Sequence, residues 1–165
     1  MTLLDAPRFD EVRDRRRRLA VWGSVATFTL LVIVFWIVSG FPVDWPWNWL
    51  AHLQGRAAIN RFLTKVEGND LATAYGIWVN DPKWQQSGKT YEYPFKRFEQ
   101  DWSPASPDNE YGPIKSHQIA AARKNGNVLI VGVYVNGRRS KPIFLDYDPK
   151  AHTLGYSPVE LYLGP

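Results

Sequence analysis

From Leu19 to Phe41 the chain reads LAVWGSVATFTLLVIVFWIVSGF, with neither a charge nor a proline. As a helix this stretch reaches roughly 34 Å, and the hydrocarbon core of a bilayer is ~30 Å thick. The hydroxyls of Ser24, Thr27, Thr29 and Ser39 do not form the polar stripe that a helix of a soluble domain turns to water. The run predicts one membrane-spanning helix. A secretory signal peptide is the competing reading. Its apolar core would be ~7 to 15 residues with a small-residue cleavage site; this core is longer, and Val38-Ser39-Gly40 matches such a site weakly.

The flanks are unequal. Arg13, Arg15, Arg16, Arg17 and Arg18 precede the span, and the first basic residue after it is Arg56. Clustered arginine beside a span marks its cytoplasmic side. The expected topology has a cytoplasmic N-terminus and an extracytoplasmic C-terminal domain. Trp45, Trp47 and Trp49 follow the span, where indole rings favour the headgroup layer. With Arg15, Arg16, Arg17 and Arg18 they are the expected membrane-interface residues. The organisation is therefore a basic tail (1–18), a transmembrane helix (19–41), a Trp-rich neck (42–50) and an external domain (51–165).

Net charge is +4, split evenly between residues 1–41 and the remainder. The external part carries no concentrated basic face in sequence, which argues against nucleic-acid binding. It is long enough to bury a core of its own, so the absence of cysteine is compatible with an exported bacterial domain. These features lead to the expectation of a single-pass protein of the bacterial inner membrane.

Asp5 before Ala6-Pro7 is a candidate helix cap, and Asp14 with Arg18 is an i,i+4 pair. After Pro42, a helix is expected from about Asn48 to Glu67, with Ile59, Phe62, Leu63 and Val66 on one face and Gly68 as its C′ residue. Asn69 or Asp70 then caps a second helix carrying Leu71, Ala74, Tyr75 and Trp78. A third starts at Pro94 and turns Phe95, Phe98 and Trp102 to one side. From Ile114 the period changes to 2, and Asn125-Gly126 and Asn136-Gly137 signal hairpins. Four antiparallel strands are expected, near 114–124, 127–135, 138–147 and 152–162. The fold class is α+β.

Two-residue loops at both Asn-Gly pairs set Val135 opposite Arg138, Val133 opposite Ser140, and His117 opposite Tyr134. One face then carries Leu129, Val131, Val133 and Val135; the other carries Ile119, Ile130, Ile143 and Leu145. Both are apolar, so a second cover is required: a partner subunit, the chain's own loops or the bilayer surface. Ile130, Val131, Val133 and Ile143 are the sheet-face candidates for a protein partner or a homodimer. The same count aligns His117, Tyr134 and Arg139 as a candidate anion or ligand row, or as the solvated rim of a sheet.

The pattern FLTKVEGNDLATAYGIW leading into YPFKRFEQDW, ahead of a four-stranded meander, resembles the cystatin-like or nuclear-transport-factor-2-like superfamily over about residues 50–163. That resemblance implies helices folded against a cone-shaped sheet, a pocket inside the cone and an outer sheet face that often dimerises. Membrane-anchored members include scaffold subunits of secretion systems and proteins associated with lipid-transfer complexes.

Within such a cone Tyr75, Trp78, Tyr93, Phe98 and Trp102 are either core or pocket lining for a small apolar or lipid-like ligand. A ketosteroid-isomerase-like enzyme would need a carboxylate base (Asp81, Glu99 or Asp101) and phenol donors (Tyr75, Tyr91 or Tyr93). Each of these carboxylates has an ordinary reading in a turn or on a helix surface. His52, His117 and His152 are too dispersed in sequence for a metal motif, and no nucleotide-binding or hydrolase signature is present. The expectation is a non-enzymatic, cofactor-free and metal-free interaction or scaffold module. A membrane-proximal ligand-binding domain is the alternative and an enzyme the third reading.

Overall fold

The computed structural model describes residues 11–163. The chain divides into two compact units, one ending at Val38 and the other beginning at Ser39. Helix α1, Glu11–Val38, forms the first unit and buries none of its residues. It begins earlier than the apolar run, taking in the arginine cluster, with Arg18 paired to Asp14 at 2.7 Å. It also stops short of Pro42, because Gly40 and Phe41 take left-handed φ values of 85° and 54°. An 18-residue window of α1 has a mean hydropathy of 2.3, so the helix is long and apolar enough to cross a membrane. The expected cap at Asp5 lies outside the described residues.

The second unit is α+β. After a single 3-10 turn at Pro46–Asn48 come α2 (Trp49–Glu67), α3 (Leu71–Trp78) and α4 (Phe95–Trp102). Strands β1 (His117–Asn125), β2 (Val128–Val135), β3 (Arg138–Tyr147) and β4 (Leu154–Tyr156) then pair in chain order as an antiparallel meander. The fourth strand is far shorter than expected, because the chain leaves the ladder after Ser157, whose N–H donates to Phe144 C=O at 3.0 Å.

Helix α2 buries His52, Gly55, Ala58, Ile59, Phe62, Leu63 and Val66, the three-and-four spacing of one face. Its end is a Schellman turn: Asp70 N–H donates to Lys65 C=O and Asn69 N–H to Val66 C=O, both at 2.9 Å. The left-handed residue is Asn69 (φ 55°); Gly68, expected there, sits one place earlier with φ −76°. Asp70 caps α3 through Thr73 N–H at 3.2 Å, which holds its carboxyl below the usual range.

Register departs from simple counting in three places. The first hairpin turns on Gly126-Asn127, with Asn125 opposite Val128 and only Gly126 at positive φ. The second turns on Asn136-Gly137 as expected, both at positive φ. β1 bulges at Ala120, so that Ile119 faces Val133 and His117 faces Val135. In β3, Val135 opposes Arg138, but Val133 already opposes Ile143. The intervening Arg139–Pro142 segment absorbs residues that β2 does not match, and Pro142 has no N–H to give the ladder. An odd offset exchanges faces. Ile143 and Leu145 therefore join Val131 and Val133 on the helix-facing side, contrary to the simple count.

The opposite face is covered by the chain itself. Residues 157–163 cross it: a Cβ added at Gly132 would lie 2.9 Å from Leu163 Cδ2, and Val159 and Leu161 border the same depression as Ile130. Asp146 shares this face, opposite Ile130 and Gly155. Burial, with Asp148 adding like charge, pushes its carboxyl above the usual range.

Two outcomes follow. A Cβ at Gly55 would lie 2.6 Å from Leu129 Cδ2 and 2.9 Å from Tyr147 Cδ1, both in the core. Overpacking of about 1–3 kcal/mol offsets or exceeds the ~1 kcal/mol that alanine gains in a helix; Gly55→Ala is expected to lower stability in urea unfolding followed by tryptophan fluorescence. For Asp146 the folded form holds its proton to higher pH than the unfolded chain, so ionisation opposes folding as pH rises above 3.8. The stability of Asp146→Asn relative to wild type should rise across that window and then level off; a flat difference curve contradicts this.

Candidate functional site

The proposed polar row does not assemble. His117 faces α2, its Nδ1 2.6 Å from Glu67 Oε1 and its Nε2 2.8 Å from Asn60 Oδ1. Tyr134 is opposite Gln118 on the other face, and Arg139 is exposed in the irregular part of β3. The bulge at Ala120 separates His117 from Tyr134 by exchanging faces.

The aromatic residues do come together, against one another. Phe62 meets Trp102 edge-on at 4.9 Å and Trp78 at 5.2 Å between ring centroids. Tyr75 meets Phe98 at 5.2 Å, and Trp78 meets Tyr93 at 5.6 Å. These are the preferred tilted and edge-to-face spacings. Tyr75, Trp78, Phe98 and Trp102 are buried and Tyr93 is half-buried. All five belong to or pack against one continuous core. The two phenols are engaged within the domain: Tyr75 O–H donates to Tyr93 C=O at 2.7 Å, and Tyr93 O–H to Asp101 Oδ2 at 2.6 Å. Asp101 also meets Arg97 at 3.1 Å.

Two of the three carboxylates considered as bases, Asp81 and Asp101, are thus engaged by phenols considered as oxyanion donors. Tyr91 O–H donates to Asp81 Oδ2 at 2.7 Å, and this bond holds the Asp81 carboxyl below its usual range. Burial and the bond to Asp101 push the Tyr93 hydroxyl far above the usual phenol range. Glu99 is exposed on α4.

The four sheet-face candidates are all inside. Val131, Val133 and Ile143 face the helices, and Ile130 lies under the C-terminal segment at 2% exposure. With that segment in place none of the four reaches a partner.

Exposed large side chains of this unit lie in the neck and, nearer the C-terminus, at Tyr156, Val159 and Tyr162. Val43, Trp45, Trp47 and Leu50 are exposed, and the rings of Trp45 and Trp47 stack at 5.0 Å and 4°. Trp49 differs from its neighbours: it is half-buried, and its indole N–H donates to Asp44 C=O at 2.9 Å. The Asp44 carboxylate lies 2.6 Å from Nε2 of His52, which is 1% exposed on α2, and accepts Lys124 N–H of β1 at 3.4 Å. Gly40 supports the same attachment. Its bare Cα lets the Arg56 guanidinium pack against the backbone, where a Cβ would come within 2.6 Å of Cζ. Arg15, Arg16, Arg17 and Arg18 are exposed on α1. Sequence reasoning found the tryptophans but missed Asp44 and His52. Eight residues separate them and no local spacing rule joins them.

Asp44→Ala is expected to destabilise the second unit by about 1–3 kcal/mol, because His52 stays buried with a ring nitrogen unpaired. Limited proteolysis should then cut within 41–50 before it cuts the strands, and unchanged cleavage would count against the attachment. Phe62→Ala, at the centre of the aromatic cluster, should cost about 3–5 kcal/mol in denaturant unfolding. Neither family models, curated proteins nor solved structures give a match to this chain.

Proposed function

We propose that this chain is a single-span protein of the bacterial inner membrane whose extracytoplasmic α+β domain is an interaction or scaffold module of the cell envelope. The observation that carries the reading is α1, a helix of hydrocarbon length that buries no residue within the chain. Such a surface needs lipid or another protein around it. The arginines at its start orient the N-terminus to the cytoplasm. The exposed Trp45–Trp47 stack, pinned to the domain through Asp44, supports a body held at the headgroup layer. Helices ahead of a bulged antiparallel meander support the cystatin-like or nuclear-transport-factor-2-like assignment, as β-bulges are the usual means of curving a sheet. Aromatic rings packed on one another, with carboxylates bonded to phenols, favour a binding role over isomerase chemistry.

In this reading partners meet the span and the neck. Photo-crosslinkers at Trp45 and Trp47 of the full-length chain in native membranes should capture protein, and one at Arg138, at the end of the sheet opposite the Lys124 contact with Asp44, should not. A C-terminal tag should be digested by protease added to spheroplasts. Protection of that tag overturns the topology. A mature N-terminus near Gly40 overturns the anchor in favour of a cleaved signal, and crosslinking to lipid alone overturns the scaffold role.

A further inference from the structure

On the side of α2 away from the neck attachment, a groove of about 760 Å³ runs between α2, α3 and the β3–β4 turn. Small side chains create it. Ala57 and Ala58 on α2 and Gly76 on α3 leave a trough with Leu53, Ile77 and Pro82 as its apolar walls. The volume falls in the range of sites for drug-sized ligands.

Three donors stand at this trough. The Arg61 guanidinium is exposed; its Nε reaches only its own helix, Ala57 C=O at 3.4 Å, and no carboxylate among the described residues pairs with it. His152 sits in the β3–β4 turn at φ 57°, its backbone N–H donating to Asp148 C=O at 2.7 Å. Its Nδ1 lies 2.6 Å from the hydroxyl of Tyr147, which is 3% exposed. That buried O–H has His152 as its partner, and donation to Nδ1 leaves the proton of a neutral ring on Nε2. Gln54 adds a half-buried amide. Asn80 fixes the turn against α3, its amide donating to Ala151 C=O at 2.9 Å. Charge at the trough is one guanidinium, with Asp148 near enough to act on the same Tyr147 hydroxyl from the opposite sign. A single negative charge suits this balance better than a doubly charged phosphate monoester, and a planar carboxylate matches the guanidinium fork.

We infer that this groove binds a small amphiphilic carboxylate, its head on Arg61 and His152 Nε2–H and its apolar body along Ala57, Ile77 and Pro82. The site is separate from the aromatic residues named from sequence and does not depend on the membrane topology.

The test uses the full-length chain in phosphatidylcholine nanodiscs, titrated with octanoate, octanol and octyl phosphate and followed by the side-chain N–H signals of Arg61 and His152. Octanoate should shift both signals saturably, with octanol and octyl phosphate weaker by about tenfold, the scale of one charge-assisted hydrogen bond. Arg61→Gln and Ala57→Phe, both at exposed positions, should weaken octanoate by a similar factor, whereas Lys65→Gln should not. Tryptophan fluorescence shows that each variant is folded. Absence of saturable shifts overturns the proposal, as does octanoate binding indifferent to Arg61→Gln and Ala57→Phe. Tighter binding of a four-residue apolar peptide with a free C-terminus than of octanoate overturns the small-molecule assignment in favour of a protein terminus.

Discussion

The second unit hangs on α2. Its buried face lies on the sheet closely enough that Gly55 leaves no room for a methyl between the helix and Leu129. Phe62 on the same face is the ring around which Trp78, Phe98 and Trp102 arrange themselves. The polar attachments radiate from this helix as well. His52 takes Asp44, Arg56 packs on Gly40, and Asn60 with Glu67 holds His117 of β1. Burying a large side chain contributes about 1.5–3 kcal/mol. A helix that buries several at once sets the position of everything packed upon it, and the weaker hydrogen bonds then fix neck and strand against a surface already in place.

That arrangement alters how the apolar residues should be understood. Both sheet faces are apolar, and one is satisfied by α2 while the other is satisfied by residues 157–163 of the same chain. The aromatic load between Tyr75 and Trp102 goes into packing within the domain. In the described residues, large side chains left to solvent concentrate in α1 and in the neck. An apolar surface is meaningful as an interface only where the chain has not already covered it.

Much of the local structure was legible in sequence because its causes are local. The period of 3.6 placed α2, α3 and α4 within a residue or so. Asp70 caps as its side chain suggests, and Asn136-Gly137 turns as that dipeptide suggests. The failures have a common origin. The bulge at Ala120 and the extra residues before Ile143 exchange faces, and a period-2 pattern cannot report them when both faces are apolar. His117 consequently left its supposed row, and Ile143 moved to the core side. At the candidate site the tryptophans of the neck were legible, but which of them is free was not. Trp49 is held because Asp44 is, and Asp44 is held by a histidine in the first turn of α2.

The amino-acid sequence by itself determined that one segment is too long and too apolar for water, that an α+β body follows it, and where its helices and two of its turns fall. Each of these rests on interactions between residues close along the chain: hydrophobic period, capping and turn chemistry. Tertiary structure decided which apolar residues are covered and by what, which histidines serve as struts, and that small residues on α2 and α3 leave a groove beside Arg61. Those outcomes depend on strand register and on contacts between residues far apart in sequence, and both are set only when the helix, the sheet and the C-terminal segment pack together.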